Sequence, residues 1–445
     1  MTKILLITVG GSHQPVVTSV QSLNPDRTIF ICSNGRRGSI SQVTGEGRPC
    51  EVRRGSEVLE ELPNIPTQIN LGDKFNPETD VIALDNPDDV SSIYLKISDC
   101  IHTLKQTDPK ATLLADYTGG TKSMSVALAL AALDEECELH LTTASRTDLI
   151  RITRGETVRR AATSDLTVRR LLTQEIPTLL AQYNYPAAIA ELEACLRDLA
   201  ISDPQPVEDY LRLCKGLNHW DCFDHEEAWY DLEPFMNQAP LRPLLLYLKR
   251  VMGSRQAIAP AMNTAFNAPD QIPGHGYELV EDLLFNAERR AALDRYDDAV
   301  GRLYRALELL AQTHLWLRYQ VKTGDVDVEQ IPLALRDQVQ ALKSRDGKIQ
   351  LALRNSYELL KQWPTDPLGA IYQPAAERLF DQLQVRNHSI LAHGLRPVTA
   401  TDYKQRFQAV IIPFIEAGLK AIIGNQSRFD PVQFPTPITI NKYNA

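Results

Sequence analysis

The feature that most constrains this chain is an alternation over its first 160 or so residues. Short apolar runs rich in β-branched side chains take turns with longer helical stretches. The runs fall at residues 3–8, 28–32, 67–71, 112–116 and 138–143. Each has the length and near-continuous apolarity of a central strand of a parallel sheet. Helices fit between them, most clearly at 122–134 with its Ala/Leu face. Strands alternating with helices predict an α/β, Rossmann-like doubly wound sheet whose ligand crevice opens at the C-terminal strand ends. Residues 149–160 read as a hairpin turning at Gly155.

Two turns stand where that crevice would be. The first follows the first strand and runs Thr8, Val9, Gly10, Gly11, Ser12, His13, Gln14, Pro15. The second follows the fourth and runs Asp116, Tyr117, Thr118, Gly119, Gly120, Thr121, Lys122, Ser123, Met124. Paired glycines allow close backbone approach, and the helix that follows each turn offers unpaired N–H groups to an anion. The hydroxyls of Ser12, Thr118 and Thr121 and the cation of Lys122 add polar reach. Thr121 stands where a Walker loop needs Gly, and the first turn lacks the spacing of a dinucleotide fingerprint. Either turn alone could be an ordinary strand-to-helix connection. Both on neighbouring strand ends of one sheet point to a phosphate-bearing ligand.

From about residue 165 the chain turns helical. An aromatic or His, an Ala and a Leu recur at one spacing: Tyr185, Ala188, Leu192; His225, Ala228, Leu232; Tyr296, Ala299, Leu303. That is how paired helices pack in repeat proteins. Residues 257–276 read as a linker or exposed loop. Long amphipathic helices are expected at 277–293, 297–319, 333–342, 349–363, 374–393 and 401–423, making an all-α bundle. Cys214, His219, Cys222 and His225 match no common zinc spacing, and Trp220, Phe223 and Trp229 suggest an aromatic core there instead.

Within the fifth of those helices lies Arg386, Asn387, His388, Ser389, Ile390, Leu391, Ala392, His393, Gly394. Helical phase would return His393 to nearly the face of Arg386 and put His388 opposite. Gly394 and Pro397 would end the helix just beyond. An imidazole that moves a proton beside a guanidinium that holds a phosphate suits attack on an RNA phosphodiester. Asn387 adds an orienting amide. The spacing recurs at Arg212 and His219, but without the flanking Asn and the Ala-His-Gly close. No Asp/Glu/His set of ligand spacing accompanies the motif, so the expected metal is none.

With its neighbours, Arg386 to His393 resembles the RNA-cleaving motif of HEPN domains, in which Arg is followed by a polar residue and, a few residues on, by His. The two glycine turns look like the signature loops of CARF sensor domains. Together they resemble the ancillary ribonucleases of type III CRISPR systems. This divides the chain into a CARF-like sensor (1–163), a helical connecting domain (164–275), a HEPN-like ribonuclease domain (276–425) and an irregular tail (426–445). The resemblance implies a homodimer acting on single-stranded RNA and switched on by cyclic oligoadenylate, with cyclic tetraadenylate favoured by analogy and cyclic hexaadenylate the other candidate. It implies attack by the RNA's own 2′-hydroxyl at a composite site, with no catalytic cofactor. Arg386 and His393 would act on the phosphate and the proton, and the two turns would hold the activator.

Bulk properties agree. The formal net charge of −9 excludes a protein that coats nucleic acid electrostatically. Seven scattered cysteines fit reduced thiols in a cytoplasm. No apolar run reaches membrane-spanning length, so no membrane partner is expected. Two other readings remain. One is a ligand-sensing dimeric regulator, whose mark would be a DNA-binding helix-turn-helix; none is evident, so no stable DNA partner is expected. The other is a ring nuclease that degrades its ligand around Thr118 and Lys122.

Overall fold

The computed structural model describes residues 2–35, 38–54, 57–143, 157–161, 163–268, 270–345, 347–424 and 432–434. The chain divides into two compact units, Met1–Thr167 and Val168–Ala445.

In the first unit the strands are β1 (Lys3–Val9), β2 (Arg27–Ser33), β3 (Cys50–Arg54), β4 (Glu57–Leu62), β5 (Val81–Leu84), β6 (Thr112–Asp116), β7 (Glu138–Thr143) and β8 (Thr157–Arg160). The helices are α1 (Gln14–Leu23), α2 (Ser41–Thr44), α3 (Ile65–Gln68), α4 (Val90–Thr107) and α5 (Lys122–Asp134). Six strands form one sheet in the order β5-β2-β1-β6-β7-β8, parallel except for β8, while β3 and β4 make a separate antiparallel ribbon. Successive side chains of a strand point to opposite faces. Accordingly Ile4 and Leu6 pack with the α4 and α5 side chains, and Leu5, Ile7 and Val9 pack with α1. Burying an Ile, Leu or Val contributes about 1.5–3 kcal/mol, so two such layers account for the sheet's central position.

The expected strand at 67–71 is absent. Asn64 instead caps α3 by accepting the Thr67 N–H, and Pro66 sits in the first turn. Capping and a proline at the helix start outweigh the β-branched composition. The sheet's outer strand on that side is β5, only four residues long. Of the hairpin expected at 149–160, the turn at Gly155 lies outside the described residues; β8 pairs antiparallel with β7.

The helices that follow are α6 (Ser164–Arg170), α7 (Ile176–Ala181), α8 (Tyr185–Asp198), α9 (Gln205–Asp221), α10 (His225–Leu232), α11 (Arg242–Ile258), α12 (Glu278–Ala292), α13 (Tyr296–Tyr319), α14 (Arg336–Gln340), α15 (Leu353–Lys361), α16 (Pro367–Asn387), α17 (Ala400–Asp402) and α18 (Ile412–Ile423). Each copy of the loose repeat opens a helix. Two residues before it, Tyr183, Phe223 and Asp294 all have positive φ, at 53°, 64° and 57°. Ala188, Ala228 and Ala299 are fully buried. They let α8 pack on α9, α10 on α9 and α13 on α12. Residues 168–252 build one core and residues 258–419 a second. Of the tail expected to be irregular, residues 432–434 are described, without regular secondary structure, and Val432 and Phe434 pack on the first of these cores. Phe434 is 3% exposed, 4.9 Å from the Trp220 ring and 3.8 Å beneath the Arg289 guanidinium.

The expected helix at 333–342 is a short 3-10 turn at Leu333–Leu335 followed by α14. The helix expected at 374–393 begins earlier and ends earlier. Asp366 caps α16 by accepting the Gly369 N–H at 2.6 Å, and Pro374 lies within it rather than at its start.

Candidate functional site

Because β1 lies beside β6, their two turns meet at the point where the strand order reverses, the usual ligand position in such sheets. The turns interlock. The Thr8 hydroxyl donates to the Gly119 carbonyl at 2.8 Å. A Cβ at Gly119 would stand 2.3 Å from the Thr8 carbonyl oxygen, and one at Gly10 would stand 2.6 Å from the Gly120 nitrogen. Gly120 has φ +81°, a conformation that disfavours a side chain. By contrast Gly11 has open space around it.

Beneath the second turn sits Asp116, fully buried. One carboxylate oxygen accepts the Thr118 N–H at 2.8 Å and the Thr118 hydroxyl. The other accepts the hydroxyls of Ser19 at 2.6 Å and Thr142 at 3.1 Å. Thr118 Oγ1 in turn accepts the Thr142 N–H at 2.7 Å. Thr121 caps α5, accepting the Met124 N–H at 3.2 Å and donating to the Pro87 carbonyl at 2.6 Å. The Gln42 amide donates to the Gly10 carbonyl at 2.7 Å.

Thirteen residues of the two turns, all but Val9, Pro15, Tyr117 and Ser123, are the ones expected to hold an activator, and they separate by burial. Gly11, Ser12, Gln14 and Lys122 are exposed, and Gly10, Thr118, Gly119, Gly120 and Thr121 are half-buried around them. Thr8, His13, Asp116 and Met124 are buried beneath. Ser19, Gln42 and Thr142 escaped the sequence reading, since they reach the turns only through the folded sheet.

The second site departs from its expectation. Helix α16 stops at Asn387, so His393 does not lie on it and helical phase does not align it with Arg386. Residues 388–396 instead form a compact loop. The Ser389 N–H bonds the Arg386 carbonyl, and the Ala392 and Gly394 N–H groups both bond the Ser389 carbonyl, each at 3.0 Å. The His393 N–H donates to the Asn387 carbonyl at 3.2 Å, which returns His393 to the helix end by another route. Gly394 is required here, since a Cβ would meet the His388 carbonyl oxygen. The glycine that was expected to stop the helix after His393 closes the loop instead.

His393 is exposed, flanked by Ile390, Leu391 and Leu395 at 51%, 65% and 87% exposure. Such a cluster is unusual on a free surface. Arg386 is half-buried, with its guanidinium 4.4 Å from the centroid of the Tyr304 ring.

The other Arg/His spacing is absorbed by packing. Arg212 donates to the Tyr230 carbonyl at 3.0 Å, and His219 lies 3.1 Å from an Asp231 oxygen. The imagined zinc residues disperse similarly. Burial pushes the Cys214 thiol up to about 12. His225 pairs with Asp282 at 3.1 Å, and Cys222 is exposed. Among the described residues no three His, Cys, Asp or Glu side chains are grouped to hold a metal, and no helix is long and apolar enough to cross a membrane. All seven cysteines are unpaired.

Residues 270–416 match a family model described as the Csm6 HEPN domain. No curated protein sequence matches the chain. Among solved structures, Enterococcus italicus Csm6 bound to cyclic hexa-2'-fluoro-hexa-dAMP is similar with a TM-score of 0.54 and 12% identity, covering 95% of this chain and 94% of that one. The chain is thus similar to Csm6 twice over, by sequence across residues 270–416 and by fold along nearly its whole length.

Proposed function

We propose that this protein is a cyclic-oligoadenylate-activated, metal-independent endoribonuclease of type III CRISPR antiviral defence, cutting single-stranded RNA in the cytoplasm. The functional division runs 1–163 for the sensor, 164–275 for the helical connection and 276–425 for the nuclease. The observation that carries the reading is the Arg386–His393 loop, lying inside the segment that matches the Csm6 HEPN domain. The interlocked glycine turns, in a fold shared with a Csm6 that binds a cyclic oligonucleotide, support the sensor half.

In the proposed reaction the RNA's 2′-hydroxyl attacks the neighbouring phosphorus. His393 moves the proton of the attacking or leaving oxygen, and Arg386 stabilises the charge that grows on the phosphorane. The departing 5′-oxygen takes up a proton, leaving a 2′,3′-cyclic phosphate on one fragment and a hydroxyl on the other. Asn387 orients the site.

Two apolar surfaces favour a homodimer, each in its own unit. Ile390, Leu391 and Leu395 stand within a few residues of His393 in the same loop and are exposed, which suits a composite site built from two copies of the loop. Val126 and Leu130 lie four residues apart on α5, exposed at 48% and 45% on a helix rich in apolar residues on every side. A twofold axis would set two crevices side by side, matching a cyclic ligand.

The test is the chemistry of the products. RNA incubated with protein and ring should carry 2′,3′-cyclic phosphate ends. Ends bearing 3′-hydroxyl and 5′-phosphate would overturn the reading. A parallel incubation with ring alone reports any ring-nuclease activity in the crevice.

A further inference from the structure

The geometry points to Tyr304 as a positioning residue for Arg386, an inference that rests on the nuclease reading above. Helix α13 carries Asp297 and Tyr304 seven residues apart, hence on one face. That face meets the motif segment at both ends. Asp297 accepts the Val398 N–H at 2.9 Å, just past the loop. Tyr304 lies under Arg386, just before it, with 4.4 Å between the guanidinium carbon and the ring centroid. Between these anchors the loop is closed by its own hydrogen bonds, including the Ile390 N–H to the Arg396 carbonyl at 2.9 Å.

The kind of contact matters more than its strength. Among the described residues no carboxylate lies within ion-pair distance of Arg386. Neighbouring arginines are held differently. Arg305 donates to Glu308 and Gln312, and Arg302 to Asn286 and the Asp298 carbonyl. A carboxylate would occupy the guanidinium's N–H fork and neutralise its charge. An aromatic face fixes the guanidinium from one side and leaves every N–H donor in the plane free for phosphate oxygens. Held that way, Arg386 keeps its donors and its charge for a dianionic phosphorane, and Tyr304 provides this without entering the reaction.

The experiment measures cleavage by the full-length protein at saturating ring, with kcat and KM separated. Tyr304→Leu and Tyr304→Met remove the π face; two variants are used so that a folding defect in one leaves the other to be read. Each should lower kcat roughly ten-fold, the scale of a partly desolvated cation–π contact, with KM changed far less. Tyr304→Phe keeps the ring face and should recover most of the rate. Melting temperature and ring binding should stay near wild type in whichever variant is read. A kcat equal to wild type in a folded Leu or Met variant would overturn the inference, as would a Phe variant that falls as far as Leu. Arg386→Ala run alongside separates the two readings. Full activity in that variant sinks the nuclease assignment itself. A dead Arg386→Ala beside an unaffected Tyr304→Leu sinks only the role of Tyr304.

Discussion

Asp116 lies buried beneath the crevice between the two glycine turns, and replacing it gives a quantitative test of its scaffold role. Its carboxylate accepts four hydrogen bonds, from the Thr118 N–H and hydroxyl and from the hydroxyls of Ser19 and Thr142. These tie the β6 turn to α1 and to β7 in a region closed to water. Asp116→Ala strips every acceptor and leaves four donors to find new partners, among them the buried hydroxyls of Ser19 and Thr142. A buried polar group left unsatisfied costs about 1–3 kcal/mol, but hydroxyls can rotate and water can enter, so a loss of about 3–5 kcal/mol follows. Asp116→Asn keeps one accepting oxygen and obliges the two hydroxyls to turn and accept from the amide, for about 1–2 kcal/mol. Two assays read this: the lowest-melting transition of the full-length protein, and the ring concentration that half-activates RNA cleavage. Both should worsen in the order wild type, Asn, Ala, because a turn ordered only part of the time binds ligand with proportionally lower affinity. The rate at saturating ring should hold, since Arg386 and His393 are untouched. An Ala variant with wild-type melting and half-activation would refute the scaffold role of Asp116.

Other consequences are sharper at single atoms. Gly119→Ala should raise the half-activating ring concentration well over ten-fold, because its Cβ would collide with the Thr8 carbonyl, while Gly11→Ala, with open space, should shift it little; equal effects would refute the interlock. Lys122→Ala removes an exposed cation from the first turn of α5 and should raise that midpoint about ten-fold, or 1.4 kcal/mol, with the saturated rate preserved. Burial alone would raise the Asp366 pKa, but hydrogen bonds from His314, the Gly369 N–H and Tyr319 bring it below the usual carboxylate value. Its stabilising contribution is therefore present above the ordinary Asp pKa near 4 and is lost as pH falls through the depressed value. Acid unfolding of Asp366→Asn should show a flatter pH dependence below about pH 4 than wild type, and identical slopes would contradict this.

Local signals made much of this fold legible. Strands β1, β2, β6 and β7 and helix α5 stand where apolar runs and the Ala/Leu face predict them, because fully buried strands and a packed helix have strong local patterns. At residues 67–71 Thr and Ile invite a strand, but Asn64 and Pro66, just upstream, carry the helix-start signal. β5 was illegible because four residues hold too little pattern. The end of α16 is hidden from the sequence for a related reason. His388 to Ala392 contains no strong breaker, and what turns the chain is the close approach of Gly394 to His388, which no spacing reveals. The His393 N–H nonetheless bonds the Asn387 carbonyl, a backbone contact that no helical spacing predicts. The loose aromatic-Ala-Leu repeat was legible in its packing positions, but not in the positive-φ residue that precedes each copy, since Tyr183, Phe223 and Asp294 share no chemistry. Phe434 shows the same limit at longer range. Its socket of Tyr185, Trp220 and Arg289 is assembled from distant helices.

The most direct test of the central claim is the rate of single-stranded RNA cleavage in excess chelator, without ring and with cyclic tetraadenylate or cyclic hexaadenylate. Wild type should cleave in chelator only when one of the rings is present. Arg386→Ala and His393→Ala should stay silent under the same conditions while folded, and Arg212→Ala should behave as wild type. Cleavage that stops in chelator and returns with Mg²⁺ or Mn²⁺, that ignores both rings, or that survives loss of His393 would contradict it.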